Sequence, residues 1–406
     1  MTERLYYHDS FLREFDAHVL ACQPEASPGR WRVELDRTAF YPTSGGQPHD
    51  LGRLGDVSVV EVADGAAHKI VHYASAALPL GPVHGQIDWP RRIDHMQQHT
   101  GQHLLSAAFI ELFNLQTVSF HLGRETSTID LAAPSIVQRH LDEAERRTNE
   151  IILDDRVISV RFGTAEELAE AGIRKDVERE GILRAIEVEG FDRQPCGGTH
   201  LARTGQAGLL LLRKLERRRD AWRLEFVCGF RALAAARTDY AILSKAAEQL
   251  SCGLPDIPAV LAKTLNDKKT QHGAAKRLEE RLADHEAKAL LASAIKDTAS
   301  AGATRVVATA LEDATQDYLR VVARTLVAEP NIVVLLASHA NGHAVFAQSK
   351  GGPHNMGALL RDSLKNFGGK GGGPQDFAQG SLSDPSQAGR FITHAKAMLA
   401  SNPNKQ

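Results

Sequence analysis

Arg91-Arg92-Ile93-Asp94-His95-Met96-Gln97-Gln98-His99-Thr100-Gly101-Gln102-His103-Leu104-Leu105 is the first sustained helical run in this chain, and the sequence changes character on either side of it. Asp94 is the expected N-cap, since a carboxylate there accepts from first-turn amides, and the apolar, helix-favouring pattern lasts to about Asn114. Upstream, residues 17–22, 31–35 and 57–62 are short strand-like runs separated by Gly, Pro and Asp turns. That pattern predicts a small β-barrel or curled sheet over 1–90. Downstream, strand candidates at 127–131, 157–162, 208–212 and 222–227 alternate with helical stretches such as 136–153, which predicts an α+β core over 91–235.

Residues 236–298 are rich in Ala, Leu, Lys and Glu, with one break at Ser251-Cys252-Gly253-Leu254-Pro255. Val260, Leu261, Leu265, Leu278, Leu282 and Leu290 recur among charges at near-helical spacing, but Thr270-Gln271-His272-Gly273 interrupts the heptad. A long amphipathic helix or a helical hairpin fits this linker. From about 302, runs at 305–308, 316–328, 331–337 and 343–348 read as β-α-β-β, followed by a Gly-rich stretch at 351–380 and a final helix at 384–400. Residues 299–406 are therefore read as a C-terminal α/β domain, within a chain that is α+β overall.

Composition narrows the function. The 406 residues carry 48 Lys+Arg against 50 Asp+Glu, so a nucleic-acid partner must be met by local basic patches rather than by a global field. No run of 18 apolar residues is present to span a membrane, and the start lacks the apolar core of a secretory signal. A cytoplasmic location is expected. Cys22, Cys196, Cys228 and Cys252 are too dispersed for a disulfide framework.

Two short motifs carry chemistry. His99-Thr100-Gly101-Gln102-His103 places two imidazoles at i and i+4, on one helix face and close enough to share a cation. Cys196-Gly197-Gly198-Thr199-His200 pairs a thiol with a third imidazole across two glycines that let the backbone turn tightly. Alone, the first has a chance explanation and the second is a tight turn with a buried thiol. Together they form a His3Cys set suited to one tetrahedral Zn2+ per chain. His95 is read as a neighbour of the site, and Cys22, Cys228 and Cys252 as small buried residues. No HExxH and no GxxxxGK[ST] occurs, which disfavours a zincin protease and a P-loop ATPase.

Three further segments have both a plain and a functional reading. Phe40-Tyr41-Pro42-Thr43-Ser44-Gly45-Gly46-Gln47-Pro48 is a β-turn or a backbone cradle for a ligand. Gly368-Gly369-Lys370-Gly371-Gly372-Gly373, flanked by Lys365 and Asn366, is a flexible linker or an amide-rich basic loop for phosphate. Arg213-Lys214-Leu215-Glu216-Arg217-Arg218-Arg219 is a solvated hairpin or a phosphate patch.

The two zinc-type motifs, with His103 followed by Leu104-Leu105, resemble those of the alanyl-tRNA synthetase editing domain and of the free-standing alanyl-tRNA editing proteins. Residues 40–48 resemble the family's glycine-rich motif, Thr117-Val118-Ser119-Phe120-His121-Leu122-Gly123 the segment after the metal helix in free-standing members, and Arg223-Leu224-Glu225-Phe226-Val227-Cys228-Gly229 the strand closing the editing core. Gly368 to Gly373 with Asp376-Phe377-Ala378-Gln379-Gly380 resembles the DHHA1-type C-terminal domain of the synthetase.

The resemblance implies a zinc-binding editing core and a trans-editing hydrolase, an aminoacyl-tRNA deacylase that clears serine, and glycine, from mischarged tRNA(Ala). By the same resemblance His99, His103, Cys196 and His200 are the metal ligands, and Thr38, Gly45, Gly46 and Gln47 line the substrate site. Lys365, Gly369, Lys370 and Gly371 contact tRNA, and the linker or C-terminal domain supports a homodimer. Because the editing-like part begins within the first residues, neither aminoacylation nor ATP use is expected. Ser119 follows the free-standing pattern, so no catalytic glutamine carries over and no general base is assigned. Four protein ligands close a tetrahedral shell, leaving catalytic and positional roles of the ion both open. The alternatives are a non-catalytic, zinc-stabilised tRNA-binding protein and a phosphodiesterase. The latter needs an Asp-His-His triplet, which this chain lacks.

Overall fold

The computed structural model describes residues 1–173, 181–296 and 304–401, so the junction expected between 298 and 299 lies outside the described residues. The chain divides into two compact units, 1–246 and 247–406.

The first unit begins with β1 (Glu3–Arg4), β2 (Glu14–Pro24), β3 (Trp31–Leu35), β4 (Arg37–Thr38), β5 (Gly52–Leu54), β6 (Val57–Asp64), β7 (Ile70–Ala74) and β8 (Gly81–Ile87). Six of them close a barrel in the order β2-β3-β7-β6-β5-β8, as the strand spacing predicted. Along β2, Phe15, Ala17 and Val19 point inward while Glu14, Asp16 and His18 face water, the period-2 pattern of a half-buried strand. Inside, Val33, Leu35, Phe40, Leu54, Val62, Ile70 and Ile87 complete an apolar core.

The long helix α1 (Trp89–Phe113) follows. It starts earlier than expected: Asp88, not Asp94, is the N-cap and accepts from the Arg91 amide, with Pro90 in the first turn. The reason is that Pro90 fits a first turn, where its missing N–H costs nothing, while the Asp94 carboxylate is taken by Arg231 at 2.6–2.7 Å. Asn114, in the left-handed conformation, closes the helix. Residues from His95 to Phe109 are buried nearly all round, so α1 is the axis of the unit rather than a surface helix.

Around α1 lie β9 (Thr117–Leu122), β10 (Ser127–Leu131), α2 (Gln138–Leu153), β11 (Ile158–Gly163), α3 (Ala165–Glu170), β12 (Leu183–Val188), β13 (Asp192–Pro195), β14 (Leu210–Arg217) and β15 (Trp222–Cys228). They form a four-stranded antiparallel sheet, β14-β15-β10-β9, and a three-stranded one, β11-β12-β13. Helix α4 (Phe230–Leu250) then runs past the unit boundary.

In the second unit α5 (Ile257–Lys296) is one continuous helix across Thr270–Gly273, not a hairpin. Its C-terminal part supplies Ala283, Ala287, Leu290 and Leu291 to a core, whereas Leu261, Leu265, Leu278 and Leu282 are exposed. Next come β16 (Arg305–Leu311), α6 (Gln316–Val327), β17 (Ile332–Ser338), β18 (His343–Gln348), α7 (Met356–Leu364), β19 (Lys370–Gly372), β20 (Phe377–Ser381) and α8 (Ala388–Ser401). The sheet order is β16-β17-β18-β20-β19, parallel only between β16 and β17. Helices α5 and α6 cover one face and α7 and α8 the other, which is why all of β17 is buried. The Gly-rich stretch 351–380 is thus more ordered than its composition suggests, holding a helix capped by Asn355 and an antiparallel ribbon. Among the described residues no helix is long and apolar enough to cross a membrane.

Candidate metal centre

Helix α1 presents His99 and His103 from successive turns, both about 1% exposed, with ring centroids 5.1 Å apart. Strand β13 ends at Pro195 and delivers Cys196, and the turn 196–200 folds back so that His200 faces the same point. Cys196 Sγ lies 3.5 Å from His99 Nε2 and 3.3 Å from His200 Nε2. The ring of His200 is centred 4.3 Å from that of His99 and 4.5 Å from that of His103. One donor atom from each of the four residues lies within 4.8 Å of the others. A tetrahedral ion with bonds of roughly 2.1–2.3 Å needs ligand–ligand edges of roughly 3.4–3.8 Å. The donor set and the spacing therefore fit Zn2+.

Electrostatics suit these side chains to a cation. Burial, reinforced by the Arg184 guanidinium and His95, pulls His99 down to about 3, and burial with the neighbouring rings and Arg184 holds His200 far below its usual value. Both imidazoles are neutral, as ligation requires. Burial pushes the Cys196 thiol up, opposed by the Gly198 amide, which donates to Sγ at 3.3 Å, and by Arg184. Arg184 on β12 braces the turn: Nη1 donates to the carbonyls of Cys196 (2.7 Å) and Gly198 (2.9 Å), and Nε to that of Tyr7 (3.0 Å).

The glycine-rich segment of the barrel reaches this centre. Ser44 and Gln47 close a turn through reciprocal backbone bonds, and Gly46 accepts from the Leu122 amide of β9 at 3.1 Å. Gly46 has φ +88°, and a Cβ there would lie 2.8 Å from the Phe120 ring, so glycine is required twice over. That ring in turn lies against His99, 5.3 Å between centroids. Gln47 is fully buried and bonded to His99 and Thr199, so its amide is engaged with the ligand-bearing elements. Fully buried Asp50 accepts from fully buried Arg92 of α1 at 2.5–3.1 Å, which ties the segment to the helix.

Other expected residues lie elsewhere. Thr38 is buried in the barrel, its hydroxyl 2.8 Å from His72 Nε2 and accepting from the Phe40 amide. His95 is buried on α1 but stands outside the four-residue group. Ser119 donates to Asp130 at 2.8 Å. The basic run 213–219 is a solvated hairpin: Arg213 pairs with Asp239, Lys214 and Arg218 pair with Glu216, and Arg217 reaches the Pro134 carbonyl. In the second unit Lys365 pairs with Asp362, and Lys370, Gly371 and Gly372 are a sheet-edge strand. A Cβ on Gly371 would meet Gly380 Cα at 2.8 Å, so close packing explains that glycine. Sequence reasoning missed Arg184, Arg92 and Asp50. The only signal for Arg184 was a charged residue inside the apolar run of β12.

Comparison with known proteins gives concordant matches. The family described as threonyl and alanyl tRNA synthetase second additional domain matches residues 183–225, and the DHHA1 domain matches 303–401. The alanyl-tRNA editing protein AlaX-L of Pyrococcus horikoshii is 31% identical over 94% of this chain and 94% of its own. The alanyl-tRNA editing protein Aarsd1 of Mus musculus is 29% identical over 93% of each chain. The alanine–tRNA ligase of Pyrococcus abyssi is 31% identical over 98% of this chain, which spans 44% of that enzyme.

Proposed function

This chain belongs to the alanyl-tRNA editing proteins, a family of aminoacyl-tRNA deacylases, and on that premise we propose that it hydrolyses Ser-tRNA(Ala), and Gly-tRNA(Ala), in trans in the cytoplasm. The observation that carries this reading is the convergence of His99, His103, Cys196 and His200 within 4.8 Å, in a chain related to editing proteins along nearly its whole length. These four residues would hold one Zn2+. A cation there supplies Lewis-acid stabilisation of charge developing on an ester carbonyl, or orients the terminal adenosine or amino group.

The chain's own residues do the rest. The Ser44–Gln47 turn, docked on β9 through Gly46, forms one wall beside the centre, and Phe120 covers His99 from water. Thr38 is the candidate sensor of serine. His72 Nδ1 faces the Val33 carbonyl at 3.4 Å, which leaves Nε2 as the acceptor for the Thr38 hydroxyl proton. The Phe40 amide takes one Oγ1 lone pair; Thr38 is fully buried, so the other would accept from a serine hydroxyl, which alanine lacks, only after the barrel residues over it give way. A polar contact left unmade costs roughly 1–3 kcal/mol, the kind of discrimination a second sieve needs where a synthetase pocket cannot reject an added hydroxyl.

The division 1–90, 91–235, 236–298 and 299–406 is then functional: barrel wall, metal core, linker and tRNA-binding domain. Exposed Lys370 at the sheet edge, with Lys365, Gly369 and Gly371, is the proposed tRNA contact, and the linker or C-terminal domain the proposed homodimer contact.

Deacylation of Ser-tRNA(Ala) and Ala-tRNA(Ala) by the wild type and a Cys196→Ala variant tests the reading. Serine should be released, alanine spared and the variant inactive. If the folded, metal-loaded wild type leaves both esters to decay at the buffer rate, the protein is a tRNA-binding relative without the chemistry.

A further inference from the structure

We propose that Gln47 is a positioning residue of the metal centre: it holds the His99 proton on Nδ1 and so presents a bare Nε2 lone pair to the cation. This rests on the reading of the four-residue group as a metal site.

The argument starts from a donor that has no choice. The Thr199 backbone N–H lies 3.1 Å from one end of the Gln47 amide, so that end is the oxygen, Oε1. The opposite end is therefore the NH2 group, and it donates to Thr199 Oγ1 at 2.8 Å. The same Oε1 is 2.8 Å from His99 Nδ1. A carbonyl oxygen only accepts, so Nδ1 must carry the hydrogen. In a neutral imidazole the other nitrogen is then unprotonated, and that nitrogen, Nε2, is the one facing Cys196 Sγ at 3.5 Å. The opposite tautomer would set two lone pairs against each other at 2.8 Å and put a hydrogen where the ion belongs.

The contact beside His200 does not fix a tautomer in this way. His200 Nδ1 is 3.2 Å from the Thr100 hydroxyl, a group that both donates and accepts, and the His103 Nδ1 to Asp192 separation is 3.9 Å. Nor is Gln47 available for the substrate contact expected of it. The residue has no exposed surface, and both Oε1 lone pairs are used, by Thr199 and His99. One amide thus couples the barrel's glycine-rich turn to both ligand-bearing elements, across 52 residues to His99 and 152 to Thr199.

The test uses the full chain and Zn2+ in competition with a chromophoric chelator, together with 15N NMR of the histidine rings in metal-free protein. In the metal-free wild type, His99 should show the Nδ1–H tautomer. A predominant Nε2–H tautomer overturns the proposal whether or not any variant folds. Gln47→Met, which removes the acceptor, should bind Zn2+ tenfold to a hundredfold more weakly and lose the Nδ1–H preference. Gln47→Glu, which restores an acceptor at the same place, should bind at least as tightly as wild type and keep it. A folded Gln47→Met protein with wild-type affinity, or with an unchanged His99 spectrum, also overturns the proposal. If the wild type itself takes up no Zn2+, the metal reading fails, and the His99 spectra still decide what Gln47 does.

Discussion

Two adjacent glycines in the Cys196–His200 turn should respond oppositely to the same added methyl group. A Cβ on Gly198 would stand 2.2 Å from His99 Cε1, 2.5 Å from Nδ1 and 2.9 Å from Gln47 Oε1. The turn cannot retreat easily, because Arg184 holds the carbonyls on both sides of it and the Gly198 amide is bonded to Sγ. The His99 ring must give way, and moving it from 2.2 Å to ordinary contact at 3.4 Å requires about 1.2 Å. Metal–ligand distances tolerate only about 0.2 Å, so the Gly198→Ala variant loses one ligand of four. If the whole set is worth roughly 10–16 kcal/mol, that ligand is worth about 3 kcal/mol, or about a hundredfold in zinc affinity. Overpacking adds about 1–3 kcal/mol of lost stability. A Cβ on Gly197 meets nothing nearer than Tyr7 Oη at 3.6 Å, so Gly197→Ala should stay within about 0.5 kcal/mol of wild type. Chelator competition measures the affinity, and thermal unfolding with and without zinc measures the coupling. Equal behaviour of the two variants, or wild-type zinc affinity in Gly198→Ala, would refute the reasoning.

Two further outcomes follow from the barrel and its junction with α1. Asp50→Ala strips the partner from fully buried Arg92 and should cost about 3–5 kcal/mol in urea unfolding, whereas a loss near 1 kcal/mol would mean that the ion pair is not fixed in solution. His72, fully enclosed, is lowered by burial from 6.5 to about 4. Between those values the unfolded chain binds a proton that the folded chain refuses, so stability is intact above about pH 6.5 and falls as the pH drops toward 4, by up to about 3 kcal/mol. His72→Leu should flatten that slope, and an unchanged slope would assign acid sensitivity to other groups.

What was legible in the sequence is what local chemistry dictates. Strand β10 and strand β18 fall where alternation and β-branched residues place them, and α1 ends at Asn114 as expected. Its start was misplaced because Asp94 and Asp88 offer the same capping chemistry, and only the pairing of Asp94 with Arg231, 137 residues away, decides between them. Helix α7 was hidden by its place in the Gly-rich stretch 351–380. Gly357 is there because a Cβ would strike the Gly373 carbonyl oxygen at 2.0 Å, a tertiary demand that composition presents as a loop. Helix α5 shows the reverse case, a broken apolar pattern over an unbroken helix, since Thr270–Gly273 keeps helical geometry without a packed core to serve.

The candidate centre divides along the same line. The convergence of its four side chains was readable because each pair sits within one turn of chain, where i, i+4 spacing or two glycines suffice to bring the donors together. The groups that hold those side chains in place were not readable. Arg184 grips the Cys196 turn from the neighbouring strand, Gln47 reaches that turn and His99 from the barrel, and Asp50 ties the barrel to α1 through Arg92. Of these only Gln47 was singled out, and for its glycine neighbours, which suggested a surface turned toward substrate. In the structure Gly46 lets the turn press against Phe120, and Gly198 lets the ligand turn press against Gln47 itself. The two glycine-bearing motifs are thus opposite sides of one contact, each cleared of a Cβ so that a buried amide can reach an imidazole between them. A spacing rule finds each motif, but only the packed barrel reveals that the amide of one sets the ring of the other.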